Sequence, residues 1–503
     1  MIQLRRISNG LFVMRLLICL FMVSVSWSSL APSHAAERPN IVFILSDDHR
    51  FDFMSCVESC PDFLTTPNLD RMAAQGAHFR NAFVSTSLCS PSRASILTGR
   101  YMHHHRVVDN QRPVPPGTQF FPQHLQRAGY TTAFVGKWHM GHDNDAPRPG
   151  FDYWASFPGQ GVYTDPTLNI NGKRPTFSGY TTDILTDLAL DWLKQDRGEE
   201  NPFLLYLSYK AVHYPFQPNP RHAKRYHGQP IDYPETMANT ERNYRTQPRW
   251  VLDRRYSIHG IDHMETGAFD KDPVPDFDQL FYDYCETVHG LDENVGRVLT
   301  ALEEAGGMDN TIVIYMGDNG FHLGEHGFYD KRDAFETSIR VPMLALAPGR
   351  IAAGTKIDQM VQNIDIAPTV LDLCGVEATE AMQFDGRSMQ PLWQSDGESP
   401  PPWRDHILYE YHWEWNFPAT PTTLAIRTDR YKYVYYHGVW DRDSFYDLET
   451  DPIERHNLID VPAYQEKIQS LRHQLFTELT ESGGLTPPIR VPEGERLDQR
   501  KRP

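Results

Sequence analysis

The sequence is built around short apolar runs that each lead into residues able to do chemistry. NIVFILSDD, starting at Asn40, places five apolar residues ahead of Asp47 and Asp48. TTAFVGKWHMGH, starting at Thr131, leads into Lys137 and His139. PFLLYLSYKAVHYPF reaches His213, and NTIVIYMGDNG ends in Asp318 and Asn319. Runs this short, rich in β-branched and aromatic residues, predict parallel strands buried on both faces. Helical patterns separate them. TPNLDRMAAQG, from Thr66, has a Thr-Pro start and a Gly stop. The stretches Tyr180–Gln195 and Tyr284–Gly307 show apolar spacing near 3.6. Alternation of strand and helix predicts an α/β core. Ligands of an open parallel sheet bind beyond the carboxyl ends of its strands, where the polar residues named above stand. The pattern therefore predicts one shared site.

The ends of the chain read differently. Arg5, Arg6 and Arg15 precede the apolar run LLICLFMVSVSW and small residues near Ala35 and Ala36. That is the layout of a signal peptide over residues 1–36, and it predicts export to the periplasm or beyond the cell. The run is too short for a comfortable membrane span, so no stable membrane insertion is expected after cleavage. Removing residues 1–36 takes away three arginines and no acids, moving the net charge from −17 to −20. So acidic a chain is not a nucleic-acid binder. If its substrate is an anion, the site must be a local basic pocket. Beyond about Asp385 the patterning changes. TLAIRTDRYKYVYYH alternates and predicts a hairpin with Tyr431, Tyr433 and Tyr435 on one face. An amphipathic helix is expected around Ala463–Ser482. The expected organisation is a catalytic α/β domain over 37–390, a Pro-rich linker at Ser399–Arg404, a smaller C-terminal α+β subdomain over 403–485 with an antiparallel sheet, and a charged tail over 486–503. The polar stretch Arg221–Asp278 reads as an insertion bordering the site.

Two adjacent carboxylates at a strand end repel one another unless a cation sits between them. Asp47, Asp48, Asp318 and Asn319 together make a hard-oxygen donor set that suits Ca²⁺ or Mg²⁺ rather than Zn²⁺. Each pair is also able to cap a following helix; two such pairs at the ends of apolar strands favour the metal. Export leaves Cys56, Cys60, Cys89, Cys285 and Cys374. Cys56 and Cys60 are close enough for a small loop disulfide; for Cys285 and Cys374 free thiols are an equal reading. In LCSPSRASILTGRY, Cys89 or Ser90 is expected to cap a helix starting at Pro91 and ending at Thr98-Gly99. The helix dipole and Arg93 would acidify a thiol placed there; a buried, inert thiol, the usual state of a lone cysteine, is the other generic reading.

CSPSRASILTG matches the pattern C-x-P-S-R-x-x-x-x-T-G at Cys89, Pro91, Ser92, Arg93, Thr98 and Gly99. This is the signature of the type I sulfatases, and the chain resembles that family. PNIVFILSDDHR, GKWHMGH, HYPF and GDNGFHLGEHGFYDK are similar to the family's other blocks and occur in the expected order, and DLETDPIERHNL extends the resemblance towards the C-terminus. GDNG replaces the more usual serine-first version, and Asn319 stands where some members have histidine. The resemblance implies an alkaline-phosphatase-like fold with a large, mixed, mostly parallel sheet flanked by helices. It implies that a formylglycine-generating enzyme converts Cys89 to formylglycine (3-oxoalanine), whose hydrate attacks a sulfate ester. Asp47, Asp48, Cys89, Asp318 and Asn319 would hold Ca²⁺. Arg93, Lys137 and Lys331 would neutralise developing charge. His213 or Lys331 would protonate the leaving oxygen, and His139 would take a proton from the remaining hydroxyl. His142, His322 and His326 stand nearby as second-tier candidates.

RYMHHHRVVDNQ, LNINGK, QPRWVLDRRY and DKRDAFE look closest to the N-acetylglucosamine-6-sulfatase branch. The implied substrate is a sulfated carbohydrate, with the 6-O-sulfate of an N-acetylglucosamine-type sugar as the leading choice. Trp413 and Trp415 could stack on sugar faces or belong to the core; Asp109 and Asn110 could touch sugar hydroxyls or shape a turn. A broad arylsulfatase and a phosphoesterase of the same superfamily are the alternative activities, and a non-catalytic glycan-binding relative is the remaining rival.

Overall fold

Ile41, Val42, Phe43, Ile44 and Leu45 have no exposed surface. Their side chains alternate between two buried clusters: Ile41, Phe43 and Leu45 face one, Val42 and Ile44 the other. A strand buried on both faces must lie inside a sheet with helices on each side. The computed structural model describes residues 38–488 apart from 142, 196–200, 263–275, 380–381, 394–400 and 439–440. The strands are β1 (Asn40–Ser46), β2 (Ala77–Phe79), β3 (Ala82–Phe83), β4 (Thr131–Lys137), β5 (Tyr153–Phe157), β6 (Asn169–Ile170), β7 (Phe203–Ser208), β8 (Thr311–Gly317), β9 (Met343–Leu346), β10 (Thr355–Ile357), β11 (Val361–Gln362), β12 (His406–Tyr411), β13 (Thr422–Thr428), β14 (Tyr431–His437) and β15 (Ser444–Asp447). Nine of them form one sheet in the order β10-β2-β9-β8-β1-β7-β4-β5-β6. Its central strands β8, β1, β7, β4 and β5 are mutually parallel, while β9 and β6 pair antiparallel. This is the large, mixed, mostly parallel sheet expected from the sequence.

The expected helices form at Pro67–Gln75, Thr181–Leu193 and Phe277–Glu304. The last starts seven residues earlier than its apolar spacing predicts. Asp276 caps it, accepting a hydrogen bond from the Gln279 backbone N–H at 2.8 Å. Gly296 in this helix faces Asn68, and an added Cβ would lie 2.3 Å from the Asn68 side-chain oxygen.

Strands β12 to β15 form a four-stranded antiparallel sheet in chain order. The expected hairpin is β13 and β14. Tyr431, Tyr433 and Tyr435 share the face that packs with the terminal helix Gln465–Ser482 through Leu471, Leu475 and Leu479. Val434 and Tyr436, on the opposite face, belong to the same buried cluster as the central sheet. Buried Lys432 ties the antiparallel sheet to the short helix Glu336–Ile339 and to the loop after β15, with its ammonium 2.8 Å from both Glu336 and Glu454.

All five described cysteines are free thiols, so the expected Cys56–Cys60 disulfide is absent. Asp70 beside exposed Cys56, and partial burial with Asp52 at Cys60, push both thiols up. That disfavours the thiolate from which disulfides form. Residues 1–36 with Cys19, and His142, lie outside the described residues, as does the tail beyond 488. Among the described residues no helix is long and apolar enough to cross a membrane.

Gly136, one residue before Lys137, sets how closely β4 approaches β7. Its φ is +117°, and an added Cβ would lie 1.8 Å from the Ser208 carbonyl oxygen. Gly136→Ala is expected to cost about 3 kcal/mol or more. Chemical denaturation measures the loss.

Candidate active site

Four adjacent parallel strands deliver the site. β8 ends before Asp318 and Asn319, β1 before Asp47 and Asp48, β7 ahead of Lys210 and His213, and β4 in Lys137. The Cys89–Thr98 helix lies across these strand ends and is buried along its whole length. It starts two residues earlier than expected, with Leu88 as N-cap and no side-chain cap. Ser90 is engaged elsewhere: its hydroxyl donates to the His139 carbonyl, and its backbone N–H donates to Asn110 Oδ1 at 3.0 Å. Asn110 thus fixes the helix start. Asp109 accepts from the Gln111 and Arg112 backbone N–H groups and shapes the turn. The helix ends at Gly99, whose φ of +67° is a left-handed stop.

Within the site the charges interlock. Asp47 pairs with the Lys137 ammonium, and its Oδ1 lies 3.5 Å from Cys89 Sγ. Asp48 accepts from Lys331 Nζ at 2.5 and 2.6 Å and from Asn319 Nδ2 at 2.6 Å. Its backbone N–H donates to Asp318 Oδ1 at 3.0 Å, and its φ is +59°. Arg93 grips Asp318 Oδ2 at 2.9 Å through Nε and Nη2. Its Nη1 donates to the Lys137 carbonyl at 2.7 Å and to Ser208 Oγ at 2.6 Å, so one guanidinium joins three strand ends. His213 Nε2 lies 3.9 Å from Asp48 Oδ2 while its Nδ1 meets the Tyr214 carbonyl. His139 is buried with a φ of +57°. The structure thus brings Asp47, Asp48, Cys89, Arg93, Lys137, His213, Asp318, Asn319 and Lys331 into one contact network, with His139 tied to its edge through Ser90.

The electrostatics follow from burial and these pairings. Burial opposes ionisation of Asp47, but Lys137, His213 and Arg93 hold its carboxyl well below the usual range. Burial and the Asp47 charge push Asp318 up to about 7 against the pull of Arg93. Burial also lowers His213 far below its ordinary value, helped by Lys137 and Lys331, which leaves the imidazole neutral. Cys89 corrects the expectation of an acidified thiol. Complete burial pushes it up to about 12, outweighing Lys137 and Lys331. An unmodified Cys89 is therefore a protonated thiol at neutral pH and a poor nucleophile.

The donor set fits a hard divalent cation. Asp47, Asp48 and Asp318 each offer an oxygen within 4.8 Å of the others. Asn319 spends its amide N–H groups on Asp48 and Gly320, and its Oδ1 stays buried with no hydrogen-bond partner. An orphaned amide oxygen beside three buried carboxylates is what an oxygen-ligated cation needs.

The second-tier histidines brace a loop instead. His322 Nε2 lies 3.0 Å from both Asp333 oxygens and its Nδ1 2.9 Å from Thr337 Oγ1; His326 stacks on Phe335. Arg254, from the stretch read as an insertion, is fully buried and holds Asp330, the Lys331 carbonyl and Asp333. It fixes the loop that carries Lys331. Trp413 is 38% exposed and packs at 6.4 Å from half-buried Trp415, so this pair is at the surface and not in the core. Lys210, which the sequence reading passed over, is buried at the end of β7. Its place two residues beyond an apolar run was the signal available.

Residues 39–376 match the family described as Sulfatase, and residues 324–481 match the family described as N-sulphoglucosamine sulphohydrolase, C-terminal. The N-acetylglucosamine-6-O-sulfatase of Bacteroides thetaiotaomicron is 33% identical, over 92% of this chain and 89% of that protein. The human N-acetylglucosamine-6-sulfatase is 30% identical, over 78% of this chain and 70% of its own length. A solved structure described as a complex with its substrate D-glucosamine-2-N,6-O-disulfate superposes with a TM-score of 0.81 at 31% identity. It covers 90% of this chain and 99% of that one.

Burial pushes up both Asp318 and Asp48 in the cation-free site, so cation binding there should displace bound protons. Calorimetric titration with Ca²⁺ or Mg²⁺ in buffers of different ionisation heat is expected to show proton release below pH 7. Affinity should rise as pH climbs to 7. Asp318→Asn should reduce the release and weaken binding; equal proton release by the variant would assign the proton elsewhere.

Proposed function

Starting from a chain that belongs to the sulfatase family and is a sulfuric ester hydrolase, we propose that it removes the 6-O-sulfate from N-acetylglucosamine-type sugars of glycosaminoglycans or similar sulfated saccharides. The reading is carried by the placement of Cys89 in the first turn of a buried helix, 3.5 Å from Asp47 and among three carboxylates and three cationic side chains. A thiol so deeply protonated is a poor nucleophile, so this reading requires its conversion by a formylglycine-generating enzyme. Formylglycine at position 89 would supply a hydrated aldehyde as nucleophile, and Ca²⁺ held by Asp47, Asp48, Asp318 and Asn319 would supply positive charge beside it. The resemblance of residues 39–376 to other sulfatases supports both groups, and the oxygen donor set supports the cation.

The chain's own residues have separable tasks in this reading. Arg93 and Lys137 keep Asp47 ionised and fix its carboxylate against residue 89. Lys331 and His213 flank Asp48; Lys331 is the group able to hand a proton to the leaving sugar oxygen, and the neutral His213 could do so only after taking one up. Lys331 is the protonated member at rest: burial opposes its charge, but the Asp48 carboxylate raises its pKa above the ordinary lysine value. His139 would be the base that takes a proton from residue 89. Asn110 and Gly99 hold the helix that carries it. The names of the relatives support the sugar and the sulfate position. Residues 1–36 support export.

The first test is the mass of the tryptic peptide from Asn81 to Arg93, taken from protein made in its native host. Loss of the thiol in favour of a hydrazide-reactive aldehyde is expected; an unmodified thiol in active material would overturn the proposal. N-acetylglucosamine-6-sulfate should be cleaved in preference to p-nitrophenyl sulfate and p-nitrophenyl phosphate. Cys89→Ala should abolish turnover, and Lys331→Ala and His213→Ala should each lower kcat by about 10²–10⁴-fold.

A further inference from the structure

Lys210 lies two residues past the end of β7, between the strand that delivers Asp47 and the strand that delivers Lys137. It is 3% exposed. Its ammonium sits 4.6 Å from the centre of the Tyr163 ring. The Tyr163 hydroxyl donates to the His213 carbonyl at 2.7 Å, so the ring beneath Lys210 also fixes the turn that carries His213.

The other cations of the site are paired. Arg93 has Asp318, Lys137 has Asp47, and Lys331 has Asp48. Among the described residues, Lys210 makes no side-chain hydrogen bond and has no carboxylate within ion-pair distance. Burial and the charge of Lys137 lower its pKa to about 7, against the pull of Asp47 and Asp48. A buried cation without a partner is costly, and an aromatic face offsets only part of that cost. An anion arriving at this position would complete the pairing.

Building on the sulfatase reading, we propose that Lys210 is a third ammonium contact for the sulfate group being transferred, binding a nonbridging oxygen alongside Lys137 and Lys331. Lys137 and Lys331 share their charge with Asp47 and Asp48, whereas that of Lys210 is uncommitted until the substrate binds. This gives it a larger share of anion binding than either neighbour.

The experiment compares Lys210→Met and Lys210→Arg with wild type, in protein whose Cys89 conversion has been verified by mass. Steady-state kinetics on a 6-O-sulfated sugar, inhibition by inorganic sulfate and the thermal midpoint are measured on each. For Lys210→Met, kcat/KM should fall tenfold or more, sulfate inhibition should weaken at least tenfold, and the midpoint should equal or exceed that of wild type. Lys210→Arg should recover part of both losses. The proposal is overturned if Lys210→Met keeps wild-type sulfate inhibition. That outcome, with a lowered midpoint, would assign Lys210 to packing on Tyr163. Converted wild type that cleaves no sulfate ester would refute the parent reading instead. Direct calorimetry of inorganic sulfate with wild type and Lys210→Met would then decide on Lys210 separately, equal binding overturning it.

Discussion

The contact on which the rest of the site depends is the guanidinium of Arg93 against Asp318. That group also holds the Lys137 carbonyl at the end of β4 and the Ser208 hydroxyl at the end of β7. It is 2% exposed, so water screens none of these interactions. Breaking a buried pair by removing one partner commonly costs about 3–5 kcal/mol, because the other charge is stranded. Here the group left behind would be Asp318, whose carboxyl burial and Asp47 already push up to about 7, so loss of Arg93 would drive it to take up a proton and leave the cation site. The neighbouring pairs are chained to this one, since Asp48 bonds to Asp318 through its backbone and to Lys331 through its side chain. Strand ends, helix and charges therefore form one object.

Much of this object was legible in the sequence because β1, β7 and β8 are buried on both faces. A strand with no solvent face shows itself as a continuous apolar run, and the first polar residues after it mark the sheet's carboxyl edge. Asp47, Asp48, Asp318 and Asn319 were found in that way. The hairpin of β13 and β14 was legible through period-two alternation. What escaped depended on distant contacts. The long helix starts at Asp276 because of a single cap inside a polar stretch. The Cys89 thiol was misjudged because helix dipole and nearby cations are visible in sequence, whereas complete burial, the larger effect here, is not. Lys210 has the same cause: a lysine just after a strand reads as solvated until its burial is known.

The support for Lys331 comes from far along the chain. Arg254 holds the 330–333 loop from one side, and His322 braces it through Asp333. A second layer lies behind: Glu336 pairs with Arg427 on β13 and Lys432 on β14, and Glu454 completes the cluster. The antiparallel sheet is thus coupled, through buried ion pairs, to the helix that follows the Lys331 loop. Ion pairs of this kind add little net stability relative to apolar replacements, but they permit few alternative registers. Precision in the placement of Lys331 is the return on that arrangement.

The same logic reconciles an acidic chain with an anionic substrate. The formal charge is −17, yet exposed charges more than about 8–10 Å from a ligand are largely screened at physiological salt. Arg93, Lys137, Lys210 and Lys331 are all within the buried set, where screening is weak. Attraction of this cluster for an anion would therefore be short in range and strong at contact, with little pull from a distance. Under the proposed function, selectivity would lie in how a sugar presents one sulfate to this cluster.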